Sequence, residues 1–235
     1  MNNIIVSGLM VIIFSPIATF NSVQADDAVC EGKTQIDHYM VGVANLTEAA
    51  KTLAAQTGIT PIFGGVHTGG ATANFLASLG NCQYLELVGP NPRGQADNDM
   101  SKQLKTLNHP TLLGIAYASH DLEGIQKIAH IRGLTVGNIE PGGRKTPTGQ
   151  QLNWRTLSFN ASGGFFIDWM KTKHPSTSTP KGLKVTSFTI QWPHAEDLKS
   201  LHQAIGLDLP ITQAEHGQYS LTLEGPKGSV TYSSN

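Results

Sequence analysis

The sequence is poor in charged residues. Asp, Glu, Lys and Arg make up 14% of its 235 residues, against roughly 25% in an average soluble domain. A chain this low in charge and 39% hydrophobic is not a disordered polyelectrolyte. The 16 Lys and Arg nearly balance the 17 Asp and Glu, and no segment is basic enough to follow a phosphate backbone. Disorder is therefore excluded, and no nucleic-acid partner is expected.

Several motifs of catalysis and metal binding are also missing. The only cysteines, Cys30 and Cys82, lack CxxC spacing, which argues against a zinc ribbon or a thioredoxin-like redox site. Residues 142–146 lack the glycine before lysine that a P-loop needs. Residues 160–164 lack the first glycine of a nucleophile elbow. No HExxH motif and no dinucleotide-binding fingerprint occurs, so no single short motif indicates the reaction.

The N-terminus is typical of a targeting segment. Residues 4–20 are largely apolar but interrupted by Pro16, and residues 23–25, Val-Gln-Ala, are followed at once by two aspartates. This pattern is typical of a signal peptidase site, although residues 1–3 carry no Lys or Arg. A membrane anchor is the alternative, but spanning needs about 20 apolar residues. We therefore expect residues 1–25 to be a signal peptide cleaved after Ala25, leaving a periplasmic or secreted chain without a stable membrane anchor.

The rest of the sequence repeats one pattern three times. Each copy has an apolar strand, a helix stopped by a glycine, and further strand segments. The stops at Gly58, Gly133 and Gly206 lie 75 and 73 residues apart (133 − 58 and 206 − 133). Each copy is a strand, a helix and up to three further strands (βαβββ), and two such units must pair to bury a core because one alone leaves a sheet face exposed. We expect paired units in residues 26–175 and a third, shorter βαββ unit in residues 176–235, packed on them.

The predicted elements follow the repeat. In the first unit, Asn45 begins the helix and Glu48 follows three residues later, as in a capping box. The predicted first strands cover residues 36–43, 112–118 and 185–192, and the later helices cover residues 121–132 and 195–205. The predicted hairpin strands cover residues 73–79 with 82–88, 151–159 with 165–171, and 218–223 with 229–232.

Several segments of the paired units carry a family resemblance. The first strand begins Ile-Asp-His at residues 36–38, residues 64–74 are Gly-rich, and residues 84–87 read Tyr-Leu-Glu-Leu. The second unit adds Arg144, Asn153-Trp154-Arg155, residues 163–169 and His174-Pro175. Together, over roughly residues 34–225, these segments resemble the glyoxalase-like domain branch of the vicinal-oxygen-chelate superfamily. The resemblance implies an α+β fold in which repeated βαβββ units pair into a cupped mixed sheet, with a third related unit.

The resemblance also implies a metal site inside the cup. Superfamily members place metal ligands on the first and last strands of paired units, which here carry His38, Glu86 and Asp168. Gly114 stands at the fourth position, so a full four-ligand set is absent. A triad of two histidines and one carboxylate is also incomplete unless His67, on its Gly-rich loop, reaches the cup. Such a set suits Zn, Ni, Fe or Mn. A divalent metal ion is therefore the expected cofactor, held by His38, Glu86 and Asp168.

The expected function is metal-assisted lyase, isomerase or hydrolase chemistry on a small molecule. In this interpretation Glu86 or His67 moves a proton, and Asn74, Arg144 and Arg155 contact the substrate. One alternative is a non-catalytic protein that binds or sequesters a small molecule. Nothing in the sequence indicates an oligomeric state.

Structural roles remain open for the same residues. His38 could be a core histidine, and Glu86 and Asp168 could form buried ion pairs with Arg144 or Arg155. The two arginines could also bind an anionic ligand without a metal. Six other histidines are expected to be solvated: His109, His120, His130, His194, His202 and His216.

The two cysteines are expected to form a disulfide bond. In the fold that the resemblance implies, the first and last strands of a unit lie side by side and parallel. Cys30 precedes the first strand by six residues and Cys82 begins the last one, so both lie near the same end of the sheet. An oxidising compartment would allow them to pair.

Overall fold

The computed structural model describes residues 30, 34–94, 96–159 and 164–234. The expected signal peptide and its cleavage site after Ala25 lie outside these residues. No helix among the described residues has the length and apolar character needed to cross a membrane.

The elements alternate as the repeat predicts. In chain order they are β1 (Gln35–Gly42), α1 (Leu46–Thr57), β2 (Ile62–His67), β3 (Thr72–Gly80), β4 (Gln83–Pro90), α2 (Asp99–Lys105), β5 (Thr111–Ala118), α3 (Leu122–Ile131), β6 (Val136–Lys145), β7 (Gln151–Phe159), β8 (Gly164–Asp168), a 3-10 turn (Pro175–Thr177), β9 (Lys184–Trp192), α4 (Ala195–Ala204), β10 (Ile211–Gln213), β11 (Gln218–Gly225) and β12 (Gly228–Ser233).

The repeated glycines mark the same backbone feature in each unit. Gly58 ends α1 with φ of 81°, and Gly133 and Gly206, which follow α3 and α4, have φ of 67° and 78°. This left-handed conformation reverses the chain after a helix and favours glycine, since a Cβ atom makes it costly. The other end of α1 is capped by the side chain of Asn45, which accepts a hydrogen bond from the Glu48 N–H.

Two βαβββ units pair into one closed barrel. Its strand order is β1-β4-β3-β2-β6-β7-β8-β5. Within each unit the first and last strands are parallel neighbours, β1 with β4 and β5 with β8. The units join at two antiparallel seams, β1 with β5 and β2 with β6. This confirms the α+β class and the pairing of units, and shows that the predicted cup closes fully.

The β2–β6 seam depends on Gly65. Only two residue pairs form this seam, Val66 with Lys145 and His67 with Arg144. Gly65 has φ of +144°, and a Cβ atom there would overlap the carbonyl oxygen of Lys145. Glycine thus allows the two backbones to approach closely enough to close the barrel.

The third unit forms a separate four-stranded sheet of order β10-β9-β11-β12. It packs on the outside of the barrel, where the ring of Phe188 lies 5.0 Å from that of Tyr39 and the ring of His202 lies 5.2 Å from that of Tyr117. Buried side chains of both parts belong to one hydrophobic cluster. The short strand β10 gives this unit the full βαβββ order. The predicted boundary at residue 176 stays a prediction.

The predicted disulfide bond is confirmed. Cys30 and Cys82 are bonded, with Cα atoms 5.5 Å apart. The bond ties the segment before β1 to the start of β4 across 52 residues of chain. A loop of that length stabilises the fold by about 4 kcal/mol in the chain-entropy model.

The prediction that His202 is solvated is wrong. His202 is 1% exposed, because it lies on the face of α4 that also buries Leu198 and Leu201. The other five histidines of that group are exposed, as expected: His109, His120, His130, His194 and His216.

Candidate functional site

The barrel encloses a cavity of about 170 Å³. Its apolar wall consists of Met40, Val88, Met100, Trp154, Phe165, Ile167 and Trp169. Its polar lining consists of His38, His67, Asn74, Tyr84, Glu86 and Arg144. A larger cleft of about 600 Å³ lies between α1 and β12, but its titratable residues Glu48 and His109 are solvent-exposed and only Tyr232 is buried. The barrel cavity brings together more buried titratable groups than this cleft: His38, Tyr84, Glu86 and Arg144.

Glu86 lies at the centre of the polar group. Its Oε2 atom is 3.4 Å from His38 Nε2, and its Oε1 atom is 3.4 Å from His67 Nε2. The Asn74 amide donates to the same Oε1 atom at 2.7 Å. The four side chains come from the four neighbouring strands β1, β2, β3 and β4. The structure thus brings together four of the predicted site residues, including His67, which ends β2.

The Glu86 carboxylate is ionised at neutral pH. It is 7% exposed, and burial alone would raise its pKa. The hydrogen bond from His67 and the charge of His38 outweigh burial, with help from Asn74, and lower the pKa to about 2. Glu86 therefore acts as an acceptor of protons, hydrogen bonds or a cation, not as an acid.

Asp37 holds His38 in place. Its fully buried carboxylate accepts hydrogen bonds from His38 Nδ1 at 2.6 Å, Trp169 Nε1 at 2.9 Å and His174 Nε2 at 3.0 Å. Burial alone would raise its pKa, but the bonds from His174 and His38 lower it to about 2. Because the ionised carboxylate has no proton of its own, both histidine nitrogens donate to it. This leaves His38 Nε2 directed at Glu86.

Asp37 is the site residue that sequence reasoning missed. Strict alternation places neighbours in a strand on opposite faces. The pairing of β1 with β5 shifts register between Ile36 and His38, and such a bulge re-aims side chains. The one feature of the sequence that could have indicated this role of Asp37 is an acidic residue beside His38 within an apolar strand.

Arg144 lies in the cavity wall at the β2–β6 seam. It faces His67 in register and is 5% exposed. Its Nη1 atom donates to the Gly64 carbonyl oxygen. Burial lowers its pKa, but a guanidinium still keeps its charge at any physiological pH. Arg144 therefore lines the cavity, and its contact with a substrate stays a prediction.

Asp168 and Arg155 lie outside the cavity, and the prediction that they face it is wrong. On β8 the neighbouring Ile167 lines the cavity, so alternation turns Asp168 to the outer side. There its Oδ2 accepts from Arg155 Nη2 at 2.8 Å and its Oδ1 from His120 Nδ1 at 3.2 Å. Arg155 also binds Glu123 at 2.6 Å. Asp168 thus forms an ion pair with Arg155, which the sequence had left open as the alternative to metal binding.

His38, His67 and Glu86 match a divalent ion in the type of their donor atoms but not in their arrangement. Among the described residues, no group of three or more His, Cys, Asp or Glu side chains is arranged to hold a metal ion. The Asn74 amide nitrogen lies between Glu86 and His67, 2.7 Å from Glu86 Oε1 and 3.2 Å from His67 Nε2. By chemistry, however, His38, His67 and Glu86 are a two-histidine, one-carboxylate set. Both Nδ1 atoms are engaged, by Asp37 and by Thr72 Oγ1 at 2.9 Å, as in histidines that bind metals. The donor types fit; their present positions do not converge.

Known proteins share this architecture. A hypothetical protein from Staphylococcus aureus is 14% identical, with 86% of each chain covered and a TM-score of 0.57. A mutant 4-hydroxymandelate synthase from Streptomyces coelicolor is 12% identical over 87% of this chain and 63% of its own, with a TM-score of 0.51. At such identities the similarity shows the fold alone. A search of curated proteins finds no match.

A family model defines the relationship more closely. The model described as a glyoxalase-like domain matches residues 36–206. The match covers 171 of the 235 residues (206 − 36 + 1) and includes both units of the barrel. The chain therefore belongs to the glyoxalase-like domain family, within the vicinal-oxygen-chelate superfamily.

Proposed function

We propose that the protein binds a small oxygen-bearing compound inside the barrel and catalyses a proton transfer on it, in a lyase or isomerase reaction. One observation carries the proposal. In an otherwise apolar cavity, His38 and His67 both direct Nε2 at the ionised carboxylate of Glu86. A buried, ionised carboxylate beside an imidazole stabilises the positive charge that the imidazole gains when it takes a proton from a substrate.

The two histidines differ in how deeply they are buried and in how firmly their contacts hold them. His38 is buried, bonded to Asp37 and stacked on Tyr84 with ring centroids 4.5 Å apart. The His67 side chain is 24% exposed and lies at the end of β2. His67 is thus the group that exchanges protons with the substrate, while Glu86 stabilises the charge that His67 gains.

A substrate oxygen has a charged partner in the cavity wall. The Arg144 guanidinium can stabilise negative charge that develops on a carbonyl oxygen when a neighbouring C–H loses its proton. The Asn74 Oδ1 atom has almost no accessible surface and lies close to Gly64, while the Asn74 Nδ2 atom donates to Glu86, so we infer that Asn74 positions Glu86. From the superfamily to which the chain belongs, we further propose a substrate with two oxygens on adjacent atoms.

A divalent ion would be held by His38, His67 and Glu86. When bound, such an ion polarises substrate oxygens and lowers the pKa of an adjacent C–H or of bound water. Asp37 and Thr72 would keep the two Nε2 atoms directed inward.

A non-catalytic binding protein is the second candidate. The enclosed apolar wall alone would suffice for sequestration. The ionised carboxylate between two imidazoles supports catalysis over sequestration, because sequestration needs no such group. We further propose a periplasmic or secreted location after removal of the signal peptide, supported by the Cys30–Cys82 bond, because disulfides persist in oxidising compartments.

Hydrogen exchange at carbon tests the proposed function directly. Purified protein is incubated in D2O with a panel of small 2-oxo acids, 2-hydroxy ketones and 1,2-diketones, and loss of each C–H signal is followed by proton NMR. We expect wild type to exchange a C–H of at least one compound, and Glu86→Gln and His67→Gln to lose at least about 100-fold of that rate. Glu123→Gln, an exposed carboxylate outside the barrel, is the matched control and should exchange normally.

Metal content is measured on the same preparations. A stoichiometric metal that is lost in Glu86→Gln would assign the ion to this site. Tight binding of a panel compound with no exchange in wild type, with or without added divalent metal, would contradict catalysis and leave the sequestering function.

A further inference from the structure

Arg144 is a buried cation without a carboxylate partner. It is 5% exposed, and no Asp or Glu of the described residues forms an ion pair with it. Glu86 is close enough to influence its pKa, but its two oxygens are already engaged by His38, His67 and Asn74. The Gly64 carbonyl takes one of the five guanidinium N–H groups.

A buried charge that is left unpaired is costly. Other donors of Arg144 are available in a cavity that the side chain lines. The missing counter-charge can therefore come from a ligand, and a carboxylate matches the planar donor fork of a guanidinium.

An aromatic surface adjoins this cation. Gly142 and Arg144 share one face of β6, and Trp154 on β7 pairs with Gly142 in register. The Trp154 indole lies over Gly142, where any Cβ atom would overlap it. Trp154 also contacts Trp169, with ring centroids 5.2 Å apart. A ligand whose carboxylate reaches Arg144 therefore places its adjoining atoms against two indole rings.

We propose that the cavity selects small flat carboxylates, with Arg144 binding the carboxylate group and Trp154 and Trp169 holding an aromatic or unsaturated body. The inference deepens the proposed function, since it names the substrate class of the same cavity. The cavity volume of about 170 Å³ is below the roughly 300 Å³ at which pockets for drug-sized ligands begin. One ring is therefore expected to fit and two fused rings are not.

Binding is measured by calorimetry and by quenching of tryptophan fluorescence. The chain has three tryptophans, so a Trp192→Phe background confines the signal to Trp154 and Trp169. Benzoate and phenylacetate are the probes. Benzamide lacks the charge, acetate lacks the ring, and 2-naphthoate exceeds the size.

We expect benzoate or phenylacetate to bind at least about 10-fold more tightly than the other three compounds. Arg144→Gln should weaken this binding about 10- to 100-fold, since a hydrogen-bonded charge is lost. Arg144→Lys should fall between, because an ammonium keeps the charge without the planar fork. Arg155→Gln, an arginine outside the barrel, should bind as wild type does.

If Arg144→Gln fails to fold, the comparison of the five compounds on the wild-type protein still tests the inference. Benzamide or acetate binding as tightly as benzoate, no binding by either aromatic carboxylate, or a folded Arg144→Gln with unchanged affinity would each overturn the inference. Glu86→Gln separates the two proposals, because it should bind carboxylates while losing hydrogen exchange. If the wild type exchanges a C–H of neutral compounds but binds no carboxylate, the inference is overturned and the proposed function remains intact.

Discussion

At the scale of single residues, Asp37 organises more of the site than any group inside the cavity. One carboxylate receives three donors, from β1, from the end of β8 and from the loop before the 3-10 turn. Through His38 and Trp169 this carboxylate contacts the wall of the barrel cavity. Asp37 and His174 themselves line a neighbouring cleft of about 300 Å³. The orientation of His38 therefore depends on a residue that does not itself line the barrel cavity.

Asp37→Asn should be strongly destabilising. An amide matches the carboxylate in shape, but its NH2 group faces His38 in one orientation, or Trp169 and His174 in the other, which leaves buried groups unpaired. We expect a loss of about 3 kcal/mol in the free energy of unfolding, measured by urea denaturation at pH 7. Asp97→Asn, an exposed aspartate that pairs with Lys105, is the control and should leave stability nearly unchanged. Equal effects of the two substitutions would show that the buried network contributes little.

At the scale of elements, the seam between β2 and β6 both closes the barrel and positions two residues of the site. The paired residues at this seam are His67 and Arg144, the predicted proton carrier and the buried cation. Their mutual position depends on how closely the two backbones approach at Gly65. A feature of strand packing thus sets the distance between two functional groups.

Gly65→Ala should therefore disturb both stability and site. The φ of +144° is unfavourable for alanine, and the added methyl group overlaps the Lys145 carbonyl. We expect a loss of about 2–3 kcal/mol by thermal unfolding. Gly137→Ala, elsewhere on β6, is the control, because its Cβ atom would meet only Ser158, with the Ser158 Cβ at 3.3 Å and the Ser158 backbone oxygen at 3.8 Å. A Gly65→Ala protein as stable as Gly137→Ala would contradict this account of the seam.

At the scale of the whole molecule, the third unit covers the outside of the barrel and buries His202 against Tyr117. Neither ring nitrogen of His202 has a hydrogen-bond partner among the described residues. Burial disfavours the charged imidazolium and lowers the pKa of His202 to about 4. The contact between the third unit and the barrel is thus made with a neutral histidine.

This burial makes stability depend on pH. Between pH 6.5 and 4 the unfolded state binds a proton that the folded state excludes, so stability falls as pH falls through this window. The loss approaches roughly 3 kcal/mol at pH 4. His202→Leu should reduce the difference in stability between pH 7 and pH 4.5, as measured by urea denaturation. His216→Gln, an exposed histidine of the same unit, should retain it. A wild type and a His202→Leu protein with the same pH dependence would contradict the prediction.

The sequence by itself determined the features that depend on local chemistry and on repetition. The glycines at residues 58, 133 and 206 predicted the helix ends because each needs a positive φ. The family resemblance then predicted the paired units, the Cys30–Cys82 bond, and the meeting of His38 with Glu86 on parallel neighbouring strands.

Only the tertiary structure decided which way several side chains point and what covers them. A register shift in β1 brings Asp37 to His38, and alternation along β8 turns Asp168 outward to Arg155. Docking of the third unit buries His202, which the polar neighbours of α4 did not predict. The physical reason is common to all three. A side chain's face depends on the register and packing of strands and helices distant in sequence, which no local pattern of residues encodes.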